Sequence, residues 1–194
     1  MLKDIGVVDS SVIILLGVPK TGKESADYDR RLQRASEQMQ ELWEEGIRFV
    51  IPAPVITELS RDGPGLHLLQ RVLATMSGWR IHAFDLECAK VAAQMLYPAL
   101  QARPIGESRV AMKYDAMIAA VAHQLEAKYM LTDNPRDFAT YLRLVSSNTE
   151  LVTVSAPRAR GQLGFIDSAR EKAAEAEDLE VAADREPEGE ERGE

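Results

Sequence analysis

The sequence predicts an α/β fold, a parallel sheet covered by helices on both faces, and two observations carry that expectation. Five short apolar stretches have the length of buried strands: "IGVVD" (5–9), "IRFVIP" (47–52), "WRIHAF" (79–84), "AKYMLT" (127–132) and "ELVTV" (150–154). Longer segments with apolar residues at helical spacing separate them, and this alternation is the pattern of parallel βαβ units. The composition supports one core, since 194 residues with 45% hydrophobic content suffice for a globular domain.

Taken in order, the first strand runs into "SSVIILL" (10–16), read as a helix, and then into "GVPKTGK" (17–23). Gly17, Gly22 and Lys23 have the spacing G-x-x-x-x-G-K of a phosphate-cradling loop. Glu24 follows, where that motif needs a hydroxyl for magnesium, and Pro19 stiffens a loop that should wrap phosphates. The expected structure is a polar surface loop in which Lys20 and Lys23 are solvated. "SADYDRRLQRASEQMQELWEEG" (25–46) carries Leu32, Ala35, Met39, Leu42 and Trp43 at helical spacing and stops at Gly46. A helix is expected from near Pro54, after the second strand. "LECAKVAAQMLYPALQA" (86–102) and "YDAMIAAVAHQLEA" (114–127) repeat the pattern, the latter opening with Asp115 near its N-terminus. Beyond about Pro157 the apolar spacing thins. The expected division is a domain over 1–157 and an acidic tail over 158–194, disordered or partly helical.

Charge and rare residues narrow the function classes. Of the net charge of −8, the segment from Ser168 to Glu194 holds −7, with eleven acidic residues against four basic ones. The body is left near neutral, so the acidic balance does not argue against a nucleic-acid partner. Cys88 is the single cysteine, and His67, His82 and His123 stand far apart, so neither a disulfide nor a thiolate or histidine metal cage is expected from this chain. No apolar run is long enough to span a bilayer and no signal-like segment opens the sequence, so the expected location is the cytoplasm, with no membrane partner.

The acids fall where an open α/β sheet collects its chemistry, beyond the carboxyl ends of the strands. Asp9 ends the first strand; Glu58, in "IPAPVITELS", follows the second; Asp115 begins an apolar helix; "TDNPRDF" (132–138) leaves the fourth strand with Asp133, Asn134 and Asp137. Each has a structural reading as a helix cap, a dipole partner, a solvated side chain or a turn former. Jointly they read differently, because Asp9 and Asp115 interrupt strongly apolar runs where an isolated carboxylate is costly to bury. Two carboxylates ~4 Å apart repel by roughly 4 kcal/mol at an effective dielectric near 20, so a cluster calls for a cation. Oxygen ligands suit magnesium or manganese, ions that polarise a phosphodiester and activate water.

"VVDSSVII", "PAPVITELSRDG" and "YDAMIAAVAHQLEAKYMLTDNPRDF" together resemble a PIN domain, and within that group the VapC-type toxin ribonucleases. The resemblance runs from about Ile5 to Val154. It implies a three-layer α/β/α fold with a five-stranded parallel sheet, and an acidic pocket that binds Mg2+ or Mn2+ and cleaves RNA. Carried over by position, Asp9, Glu58, Asp115 and Asp133 are the implied catalytic and metal-binding residues. Ser10, Thr132, Asn134 and Asp137 support the site or the substrate, and the fourth acidic position is open between Asp133, Asn134 and Asp137. Arg61, Arg109, Lys113 and Arg136 are candidates to steady the RNA backbone, chosen for closeness in sequence to the acids. The resemblance also implies an antitoxin partner and a homodimer. The asparagine at position 134 sustains a second expectation, a PIN-like module that binds RNA or protein with weak or no nuclease activity.

Overall fold

The structure is a computed structural model that describes residues 4–17, 25–60, 65–75, 78–102 and 108–156. The acidic segment 158–194, the loop residues 18–24 and Arg61 lie outside these. In chain order the described elements are β1 (Ile5–Val8), α1 (Ser10–Gly17), α2 (Ala26–Glu44), β2 (Arg48–Pro52), α3 (Ala53–Ser60), α4 (Gly65–Thr75), β3 (Arg80–His82), α5 (Leu86–Gln101), α6 (Arg109–Gln124), β4 (Tyr129–Thr132), α7 (Pro135–Leu144) and β5 (Glu150–Thr153).

The strands form one five-stranded sheet, all parallel, in the order β3-β2-β1-β4-β5. The central strand β1 is buried on both faces, as helices covering both faces of a parallel sheet require, and Val7 and Val8 are fully covered. Its register places Gly6 opposite Phe49 of β2 and Tyr129 of β4. A Cβ at Gly6 would stand 2.8 Å from Leu131 Cδ1 and 3.0 Å from Ile47 Cγ2, so glycine is the residue that lets these neighbours close over β1.

Chain direction explains the layers. From β1 through β2 to β3 the chain steps one way along the sheet, then returns past β1 to β4 and β5. Right-handed crossovers in opposite directions deposit helices on opposite faces. Accordingly α1 packs with α2, α3 and α4, while α5, α6 and α7 pack with one another. Helices α3 and α6 also meet, which brings the elements carrying Glu58 and Asp115 together. The reversal makes the gap between the carboxyl ends of β1 and β4 the switch point of the sheet.

All five expected strands are present, and β3 is the one most shortened, to three residues. As an edge strand with β2 alone as neighbour it has fewer ladder bonds to extend it. Helix α6 corrects one expectation. It starts at Arg109, capped by Ser108, whose hydroxyl accepts from the Ala111 N–H at 3.4 Å. Asp115 therefore lies in the second turn, beyond the reach of the N-terminal dipole that the sequence reading assigned to it.

Candidate active site at the carboxyl edge of the sheet

Asp9 follows β1 directly, at the switch point. Its N–H donates to the Leu131 carbonyl at 3.0 Å, so the ladder to β4 extends one residue past the strand and fixes the carboxylate beside the end of β4. The residue is 4% exposed. Five donors reach its two oxygens. Oδ1 accepts from the Ser10 N–H at 2.6 Å and the Ser10 hydroxyl at 3.2 Å. Oδ2 accepts from the Ser11 hydroxyl at 2.6 Å, the Ser11 N–H at 3.4 Å and the Thr132 hydroxyl at 2.9 Å. Two of these are N–H groups of the first turn of α1, so Asp9 is both a helix cap and a buried carboxylate set at a strand end.

Asp133 joins the same group from β4. Its N–H donates to the Ser11 hydroxyl at 2.9 Å, so Ser11 links Asp9 to Asp133. The Asp133 carboxylate is held from two sides: Arg31 of α2 pairs with Oδ2 and the Ser155 hydroxyl, just past β5, donates to Oδ1. Thr132, fully buried, accepts from the Asn134 N–H at 3.0 Å on its hydroxyl. The Asn134 amide in turn donates to Asp137 at 2.5 Å in the first turn of α7.

Solved structures share the fold that carries these residues. A chain of VapBC-1 from nontypeable Haemophilus influenzae superposes with a TM-score of 0.51 at 18% sequence identity, over 75% of this chain and 96% of that one. The protein has the PIN-domain, VapC-type fold. VapBC2 from Rickettsia felis, bound to a promoter DNA fragment, has a TM-score of 0.49 at 16% identity over 76% of this chain and 98% of its own. DNA-bound VapBC from Salmonella typhimurium gives 0.49 at 19% over 78% and 98%. No protein-family model matches the sequence, and no curated protein matches it.

Within this PIN fold, the sequence-predicted residues divide into two sets. Asp9, Ser10, Thr132, Asp133 and, through Thr132, Asn134 and Asp137 form one hydrogen-bonded group at the switch point. Glu58, in the second turn of α3, and Asp115, in α6, stand half-buried on helices that meet each other; α3 also packs on α1, and α6 on β1. Glu58 Oε2 is a buried oxygen that accepts no hydrogen bond, while the residue itself has an electrostatic or hydrogen-bonding partner. Among the described residues no group of three or more His, Cys, Asp or Glu stands close enough to hold a metal ion. The donors at the switch point are nevertheless all hard oxygens, which fit magnesium or manganese and do not fit a thiophilic ion.

Ser11, Arg31 and Ser155 belong to the site and are absent from the sequence reading. The doubled serine in "DSSV" is the one local signal for Ser11. Arg31 and Ser155 lie 102 and 22 residues from Asp133, a separation that only the fold closes. The near P-loop is resolved at its first glycine. Gly17 ends α1, nine residues beyond β1, and a Cβ there would lie 3.2 Å from Val72 of α4; it is a packing glycine and not the start of a strand-to-helix phosphate loop.

Proposed function

We propose that the protein is a metal-dependent endoribonuclease of the VapC toxin type, hydrolysing RNA phosphodiesters at the switch point of its sheet. The observation that carries this reading is a single carboxylate, Asp9, buried at the end of the central strand of a PIN-type sheet and aimed by Ser10, Ser11 and Thr132. Such a carboxylate is preorganised: its orientation is fixed before substrate arrives, which is the condition for efficient electrostatic catalysis. Asp9, Glu58 and Asp115 are the residues proposed to hold Mg2+ or Mn2+. When bound, the ion supplies Lewis acidity toward a phosphoryl oxygen and an activated water. Ser11 and Thr132 hold the Asp9 oxygens in place by donating their hydroxyls to Oδ2. The fourth position suits an ion less, since the Asp133 carboxylate is already charge-paired with Arg31 while the donors on Asp9 are all neutral, and the Asn134 amide is bonded to Asp137.

RNA is the proposed substrate and the cytoplasm the proposed location. The fold likeness to chains of VapBC assemblies supports an antitoxin as protein partner, and a homodimer is proposed with it. No helix among the described residues is long and apolar enough to cross a membrane.

The test is cleavage of a mixed RNA pool by the full chain with magnesium, manganese or EDTA, beside an Asp9→Asn variant. Wild type should cut with metal and not with EDTA, and Asp9→Asn should lose at least a hundredfold of the rate, as removal of a central electrostatic group does. RNA binding without cleavage under every condition would leave the binding-module reading in its place.

A further inference from the structure

Arg31 of α2 and Asp133 form an ion pair beside the hydrogen-bonded group at the switch point, and its two ends differ in exposure. The Asp133 side chain is 12% exposed and the Arg31 side chain 42%. The carboxylate is thus largely covered, while the arginine side chain keeps part of its surface open to solvent. Both Asp133 oxygens are engaged by protein donors, Arg31 on one and Ser155 on the other. Its N–H is one hydroxyl away from Asp9, through Ser11 at 2.9 and 2.6 Å. Arg31 is therefore a cation fixed within one ion pair of the group that holds the proposed catalytic carboxylate.

We infer that Arg31 contacts the phosphate backbone of the bound RNA, and that Asp133 is the positioning residue that aims it and not an ion ligand. This rests on the ribonuclease reading. A guanidinium offers five N–H donors in a planar fork that matches phosphate as well as carboxylate, so pairing with Asp133 leaves donors to spend on a second anion. A long side chain ordinarily loses rotamer freedom when it binds, and an arginine already held by a carboxylate loses less. Arg30, its neighbour on α2, provides the contrast. It pairs with Asp27 in its own helix, with both side chains about two-thirds exposed, and neither touches the site. A purely structural staple between α2 and the sheet predicts loss of stability without change in RNA binding.

Binding of a fluorescent single-stranded RNA, measured in EDTA at several salt concentrations so that cleavage does not intervene, separates the two. Arg31→Gln should bind about tenfold more weakly, the usual loss for a charge-assisted contact, and its log-log salt slope should be smaller by about 0.7, one single-strand phosphate. Arg31→Lys, which keeps the charge, should recover the slope and only part of the affinity. Asp133→Asn should weaken binding as well, and combining it with Arg31→Gln should add little, because aiming matters only while the arginine is present. Manganese should raise the melting temperature of wild type and of Asp133→Asn alike. An unchanged salt slope in Arg31→Gln overturns the inference and leaves the ribonuclease reading standing, as does loss of the manganese response in Asp133→Asn. Wild-type protein that neither binds RNA in EDTA nor cleaves it with metal overturns both.

Discussion

Asp9 is surrounded by donors, and that sets what happens when its charge is removed. In Asp9→Asn, whichever way the amide turns, its NH2 faces a backbone N–H that cannot reverse, from Ser10 on one side or Ser11 on the other. The expected cost is about 1–3 kcal/mol, the penalty for a buried donor left without an acceptor, read as a lower urea midpoint at constant m. A gain in stability instead would mean that repulsion from neighbouring acids outweighs these bonds, as in a strained cluster. Asp9 was legible in the sequence as a polar residue closing an apolar run, a place where burial demands a partner, and Thr132 through the PIN-like pattern that ends its strand. Arg31 was not. "DRRLQR" offers three arginines on one polar helix, and no local pattern separates the one that reaches Asp133 from the one that pairs within its own turn.

At the scale of elements, β1, β2 and β4 were legible as short buried runs, since periodicity sees burial, whereas the edge strand β3, expected to be buried, is largely exposed. Helix starts were harder. Arg109 and Lys113 interrupt the apolar spacing of "RVAMKY" at the start of α6, and "PRDF" at the start of α7 has turn composition, so α6 reads as beginning too late and α7 as a turn, although Ser108 caps the one and Pro135 sits at the start of the other. Helix α5 has an acidic cap whose charge can be read by titration: Asp85 accepts from the Cys88 N–H at 2.9 Å. That bond, followed by the Cys88 side chain, holds the Asp85 carboxyl below its usual range. A lowered folded-state value means the ionised form is favoured by folding, so the stabilisation is present above the unfolded value and is lost as pH falls through the folded one. Asp85→Asn, which keeps a capping oxygen but cannot titrate, should match wild type less closely at neutral pH and more closely below the carboxylate range. Melting curves down the acid limb check this; parallel limbs for the two proteins would mean that the cap contributes nothing to acid sensitivity.

For the whole molecule, the distribution of charge makes the acidic segment separable from the fold. Ser168 to Glu194 carries a net −7 of the chain's −8, and its large apolar residues are Leu179 and Val181. The hydrophobic core of the described residues is assembled from β1 through Val154, and two aliphatic side chains add little to such a core. A chain ending at Ser168 should therefore unfold cooperatively at about the wild-type temperature. Its effect on RNA should be electrostatic. Removing a net −7 leaves a body with nineteen basic and twenty acidic residues, so a polyanion approaches with less repulsion and affinity rises at low salt. Because the Debye length shrinks from about 30 Å at 0.01 M salt to about 3 Å at 1 M, the advantage should fade as salt increases and disappear at the upper end. An affinity gain that survives high salt would point to a specific contact made by the segment, and loss of a cooperative transition in the shortened chain would place part of 169–194 in the core.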